Sequence, residues 1–217
     1  MTARTPAAIA GDSFAIIRRR LAAEGYSFAP PMAAVVERII HSTADFEYAR
    51  LTRFSADAIE SGVQALRAGA PVVTDVHMVR VGISAVRLST FGSAAHCFVA
   101  EPGLATAAAT AATTRSALGM RLAAERGLLD GGIVAIGNAP TALEEVLRLI
   151  ATGTRPALVI GVPVGFVGTT ESKAALMQLN TPPWIVTTGY KGGSTIAVAI
   201  VNALLRLAMD APATDVD

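Results

Sequence analysis

A single cysteine, Cys97, stands in 217 residues, which excludes an internal disulfide and a cysteine-built metal site. Its neighbours His96, Phe98 and Val99 suggest a buried strand, where a free thiol behaves as a small hydrophobe. Charge is sparse at 16% of residues, against about 25% in ordinary domains, and 18 Lys+Arg balance 17 Asp+Glu to a net +1. The electrostatic footprint of a nucleic-acid binder is therefore missing. Lysine is rarer still: only Lys173 and Lys191 occur, each in a glycine-rich stretch. No apolar run is long enough for a membrane. The longest charge-free stretch, Ala174 to Tyr190, is broken by Asn180-Thr181-Pro182-Pro183, and a spanning helix needs about 20 mostly apolar residues. The amino end, Met1-Thr2-Ala3-Arg4-Thr5-Pro6, carries no basic region followed by an apolar segment, so no signal peptide is expected and cytoplasm is the default location.

What is present in excess is apolar surface: 52% hydrophobic residues besides 19 glycines, with a mean hydropathy of +0.49. This surplus belongs in a large core, in a subunit interface, or in a pocket for a large and partly apolar ligand. The length suits one domain over residues 1–217, with 1–11 and 210–217 read as frayed tails. Five continuous β-rich runs, Val72–Asp75, His96–Val99, Ile133–Ile136, Ala157–Ile160 and Trp184–Thr187, have the pattern of strands covered on both faces. Helices are expected over Ser13–Ala23, Met32–His41, Ala56–Ala68 with Ser55 as cap, about Thr106–Arg126, Ala142–Ala151, Thr170–Leu179 and Thr195–Met209. Strands alternating with helices imply an α/β fold: three layers around a five-stranded, mainly parallel sheet.

In such a sheet the ligand lies beyond the carboxyl ends of the strands. Three loops leave those ends: Gly137-Asn138-Ala139-Pro140-Thr141, Gly161 through Lys173, and Gly189-Tyr190-Lys191-Gly192-Gly193-Ser194. Each runs into a helix start, where backbone N–H groups favour anions. None is a Walker loop or a G-x-G-x-x-G, which demotes a nucleotide site. Pro163, Val164, Phe166 and Val167 suit a ligand with an apolar body. His41 ends an apolar helix with Asp45 four residues on, a place where histidine is ordinarily structural but titrates in the useful range. No H-x-H or H-E-x-x-H spacing supports a metal site, and no cofactor is expected. Arg115 sits among Thr113, Thr114 and Ser116 inside the expected long helix; a buried arginine there would need an anionic partner.

These motifs, in this order, resemble the precorrin-8X methylmutase family of corrin (vitamin B12) biosynthesis over about Ser13 to Leu207. The carrying segments are Ser13 to Arg18, Arg38-Ile39-Ile40-His41 through Phe46, Asp75 to Ile83, Thr114-Arg115-Ser116, Gly137 to Leu143, Gly161 to Gly168 with Glu171-Ser172-Lys173, and Gly192-Gly193-Ser194. The resemblance implies an isomerase that moves a methyl group from carbon 11 to carbon 12 of precorrin-8X, or of its cobalt form. It also implies a flavodoxin-like fold and a homodimer or higher homo-oligomer with the site near the interface; charge and hydropathy, as above, argue for no nucleic-acid or membrane partner. His41 falls on the family's acid-assisting histidine, and Ser13 and Arg115 on positions lining the ligand. Ala44 departs from the glycine that many members carry.

General acid assistance is worth about 10²–10⁴ in rate, and His41 is the expected donor, with Asp45, Ser42 or Thr43 holding its tautomer. Arg115, Thr114, Lys191, and the loop positions Gly137, Asn138, Gly161, Gly192 and Gly193 are the expected holders of the substrate's carboxylate arms. Lys173 is expected to be an exposed helix partner of Glu171. A non-catalytic corrinoid carrier is the competing reading.

Overall fold

The computed structural model describes residues 5–210. The chain forms α1 (Pro6–Ala23), α2 (Pro30–Thr43), α3 (Tyr48–Leu51), β1 (Thr52–Phe54), α4 (Ala58–Arg67), β2 (Val72–Thr74), α5 (His77–Gly82), α6 (Ala85–Thr90) and β3 (Ala95–His96). It continues with α7 (Leu104–Thr110), α8 (Arg115–Glu125), β4 (Ile133–Ile136), α9 (Pro140–Ala151), β5 (Leu158–Gly161), α10 (Thr169–Met177), β6 (Trp184–Thr187) and α11 (Ser194–Asp210). Local sequence explains the elements that matter for the site. Prolines open both α2 and α9, where a missing N–H costs nothing. Val35, Val36, Ile39 and Ile40 form the buried stripe of α2, and Leu143, Val146 and Ile150 that of α9.

The six strands lie in the order β1-β6-β5-β4-β2-β3. All neighbours are parallel except β1, which runs antiparallel to β6. Successive residues of one strand point into different cores. Ile133 and Ala135 join side chains of α1, α2, α4 and α11, whereas Val134 and Ile136 join those of α8, α9 and α10. Helices thus cover both faces, which is why the strands read as unbroken apolar runs. Much of the apolar surplus is housed here, each fully buried Val, Leu or Ile contributing about 1.5–3 kcal/mol. From β2 the chain goes to β3 on one side and then crosses to β4 on the other, so the order reverses between β2 and β4. Asp75 and Gly137 follow the carboxyl ends of those two strands.

Several expectations change. The sheet has six strands rather than five, because Thr52-Arg53-Phe54 pairs along β6 as an edge. Three residues with a central arginine carry no readable period. Of the run His96–Val99 only His96 joins the ladder, together with the preceding Ala95. The long helix over Thr106–Arg126 is two helices: Ala112 adopts φ +48° and Thr114 caps a new start, its hydroxyl accepting from Ala117 N at 3.2 Å. Ser55 does not cap α4; its hydroxyl accepts instead from Trp184 N at 2.8 Å, tying β1 to β6. The first tail is shorter than expected, since Thr5 caps a helix from Pro6, and Asp210 closes α11. Residues 1–4 and 211–217 of the expected tails lie outside the described residues.

Candidate active site

Two buried charges lie beneath the loops at the strand ends. Asp75 is 1% exposed. Its Oδ1 accepts from Gly137 N at 3.0 Å, and its Oδ2 from Asn138 N at 2.8 Å and Ala139 N at 2.7 Å. The Gly137 and Asn138 amides expected to receive a substrate carboxylate are therefore filled by the chain's own. Burial pushes the Asp75 carboxyl above its ordinary value, opposed by the three amide donors. Lys173 is the opposite case. Expected on the surface beside Glu171, it is 1% exposed, and its Nζ donates to the carbonyls of Gly189 at 2.9 Å and Lys191 at 2.8 Å. Burial lowers it to about 8. Glu171 stays at the surface and accepts from the Thr170 hydroxyl at 2.9 Å.

His41 stands exposed in the last turn of α2, its ring stacked on Phe14 with centroids 4.8 Å apart and planes 10° from parallel. The Arg38 guanidinium lies 5.3 Å from the same Phe14 ring. The residues expected to hold the His41 tautomer are engaged elsewhere. Ser42 and Thr43 both donate to the Ile39 carbonyl at 2.9 Å, while Asp45 accepts from Glu47 N at 2.9 Å and from Lys191. Lys191 also reaches Glu47 Oε2 at 2.7 Å. Its ammonium holds both carboxylates below their usual range, and they raise it in turn. Lys191 thereby ties the loop before α11 to the turn that follows His41. At that turn Ala44 takes φ +55°, the left-handed conformation that favours glycine. Ser13, beside Phe14, donates to the Ile9 carbonyl at 2.8 Å.

The glycine loops serve mainly to reach one another. A Cβ on Gly192 would lie 2.4 Å from the carbonyl oxygens of both Val162 and Pro163, so only glycine lets the two loops cross. Gly193 N donates to the Val162 carbonyl at 2.8 Å. Gly161 belongs to the β5 ladder, and its Cβ would meet Leu176 at 2.5 Å; it makes room for α10 rather than for a ligand. Phe166, at 84% exposed, and Val167, at 89%, stand in solvent, with Phe166 5.4 Å from the Tyr190 ring.

Arg115 is exposed at the first position of α8, not buried inside a helix as expected. The Thr114 hydroxyl meets that of Thr141 at 2.8 Å, joining the starts of α8 and α9. Asn138 has an exposed side chain even though its amide is engaged. The structure thus gathers His41 with Phe14, and Lys191 with Asp45 and Glu47. It gathers Arg115, Thr114 and Thr141 separately, on helices packed against the other face of the sheet. The roles of Asp75 and Lys173 were missed. Asp75 ends an apolar β-run, and Lys173 precedes Ala174-Ala175-Leu176, signals of burial that outweigh the charge.

Fold and site together define an α/β protein that carries an exposed histidine and a polar, glycine-looped rim at the carboxyl ends of parallel strands. The chain belongs to the precorrin-8X methylmutase family, isomerases that catalyse methyl migration, whose family model matches residues 8–207. It is 44% identical over 205 residues to a cobalt-precorrin-8 methylmutase of Leptospira interrogans, covering 92% of each chain. It is 40% identical over 201 residues to a precorrin-8X methylmutase of Sinorhizobium, covering 92% of this chain and 93% of the other. The crystal structure of the precorrin-8X methyl mutase from Thermus thermophilus superposes with a TM-score of 0.86 at 48% identity, over 94% of this chain and 96% of that one. Among the described residues no helix is long and apolar enough to cross a membrane.

Proposed function

We propose that the chain moves the methyl group of precorrin-8X, or of cobalt-precorrin-8, from carbon 11 to carbon 12, giving hydrogenobyrinate or cobyrinate. The observation that carries this reading is the family match across residues 8–207, joined to an exposed histidine at the end of the R-x-x-H helix. In the reaction the bond from the methyl carbon to carbon 11 breaks as the bond to carbon 12 forms, with no net oxidation. His41 assists by giving a proton or hydrogen bond to a ring nitrogen or neighbouring atom of the macrocycle, which draws electrons toward that atom and leaves carbon 12 better able to accept the methyl group with its bonding pair. The stack on Phe14 limits the ring's orientation, a part first assigned on sequence to Asp45, Ser42 or Thr43.

Ser13, Thr114, Arg115, the Asn138 side chain and Lys191 hold the acetate and propionate arms. Gly192 and Gly193 shape the rim by letting its loops cross. The chain works as one domain in the cytoplasm, its parallel strands in a flavodoxin-like order. It works as a homodimer, which covers exposed apolar side chains such as Met78, Val81 and Val86. The direct test is to incubate the protein with precorrin-8X and, separately, with its cobalt form and to follow the visible spectrum. Conversion of either supports the reading. Tight binding of both with no spectral change would make the chain a corrinoid carrier.

A further inference from the structure

Asp75 is buried, follows β2, and offers its two carboxylate oxygens to three consecutive amides of the loop after β4. That loop carries the exposed Asn138 and, one residue into α9, Thr141. The Thr141 hydroxyl meets the Thr114 hydroxyl at 2.8 Å, and Thr114 caps the helix whose first residue is Arg115. Hydrogen bonds and two short covalent stretches, Ala139 to Thr141 and Thr114 to Arg115, therefore link a carboxylate at the carboxyl end of β2 to an arginine in solvent. We propose that Asp75 is a positioning residue for substrate binding: it is the resident anion of the α9 start, and through Thr141 and Thr114 it sets where Asn138 and Arg115 meet the carboxylate arms. Because the three amides are already engaged, an external carboxylate or phosphate does not bind there. Specificity for the substrate's arms falls to side chains that the latch aims. His41 ends a helix packed on the other face of the sheet, so the latch bears on binding more than on the chemical step.

This rests on the reading that Asn138 and Arg115 hold the substrate. Asp75→Asn keeps the shape but turns an N–H donor toward N–H donors. Its KM for precorrin-8X should rise on the order of tenfold or more, with kcat within about threefold, since unsatisfied buried donors are costly. Thr141→Val breaks the relay without touching the buried carboxylate and should raise KM about two- to tenfold. Asp75→Ala leaves a cradle of the size of a small carboxylate. Formate, against chloride at equal ionic strength, should raise its Tm and lower its KM. Unchanged KM in both Asp75→Asn and Thr141→Val would overturn the proposal. So would parallel losses of Tm, kcat and KM in Asp75→Asn with no response of Asp75→Ala to formate, which is the signature of packing alone. If Asp75→Ala is insoluble without formate, solubility restored by formate supports the latch, and Thr141→Val decides its reach. If Arg115→Ala itself leaves KM unchanged, the substrate-holding reading fails. The formate effect on Tm then tests the latch separately, and its absence sinks it.

Discussion

Asp75 and Lys173 are each 1% exposed, and both satisfy their charge with backbone groups of the loops above them, amides for the carboxylate and carbonyls for the ammonium. His41, Arg115 and Asn138 stand in solvent on those loops and helix ends. The difference separates two jobs. A buried charge whose partners are backbone groups sets the course of a chain segment, because leaving it unpaired in a low dielectric is costly. A charge on the rim keeps its side-chain valences for a ligand. Lys191 lies between the two: it is at the surface, yet it is engaged by Asp45 and Glu47 and fastens the turn beyond His41.

This division can be strained from either side. The largest effect on substrate binding is expected from Arg115→Ala, which would remove the charge-assisted contact proposed for a carboxylate arm. KM should rise roughly tenfold or more, while the Tm stays near that of the wild type. Equal KM would place the carboxylate-holding groups elsewhere. On the floor, Lys173→Met tests whether the ammonium is a buried charge. Native Lys173 releases its proton near pH 8, and an unfolded lysine does so only near pH 10.4. Between those values the unfolded chain binds more protons, so stability rises with pH. Urea unfolding of the wild type relative to Lys173→Met should show that rise, on the order of 3 kcal/mol across the interval. A flat difference would return Lys173 to the surface class. Phe14→Ala should lower kcat by about two- to tenfold, the worth of an aromatic contact, with little change in KM. The smallest effect concerns the turn after His41. Ala44 holds a left-handed φ of +55°, so Ala44→Gly should stabilise the fold by about 0.5–1 kcal/mol. That appears as a Tm increase of about 2–4 °C per kcal/mol at this length.

The legibility of the chain follows the same line. Runs such as Ile133–Ile136 and stripes such as Leu143, Val146 and Ile150 announce themselves because burial imposes a period on sequence. The place of His41 at the end of α2 is legible from the apolar helix before it, and the carboxyl-end loops from their glycines. What escaped were features decided by tertiary partners. Thr52–Phe54 becomes a strand only because Trp184–Thr187 offers it an edge. The break at Ala112 is a left-handed residue that composition does not mark. The loop amides read as open in sequence because Asp75, which fills them, lies 62 residues before Gly137 in the chain. Lys173 looked solvent-bound because lysine usually is, and the carbonyls that receive it lie 16 and 18 residues on.

Turnover by His41→Ala tests the separation of rim chemistry from buried scaffold most directly. The variant should unfold at the wild-type urea midpoint and bind the product corrinoid with unchanged affinity. Its conversion of precorrin-8X should fall by about 10²–10⁴. A rate within about threefold of the wild type, in a protein equally folded and equally able to bind product, would contradict the assignment of acid assistance to His41.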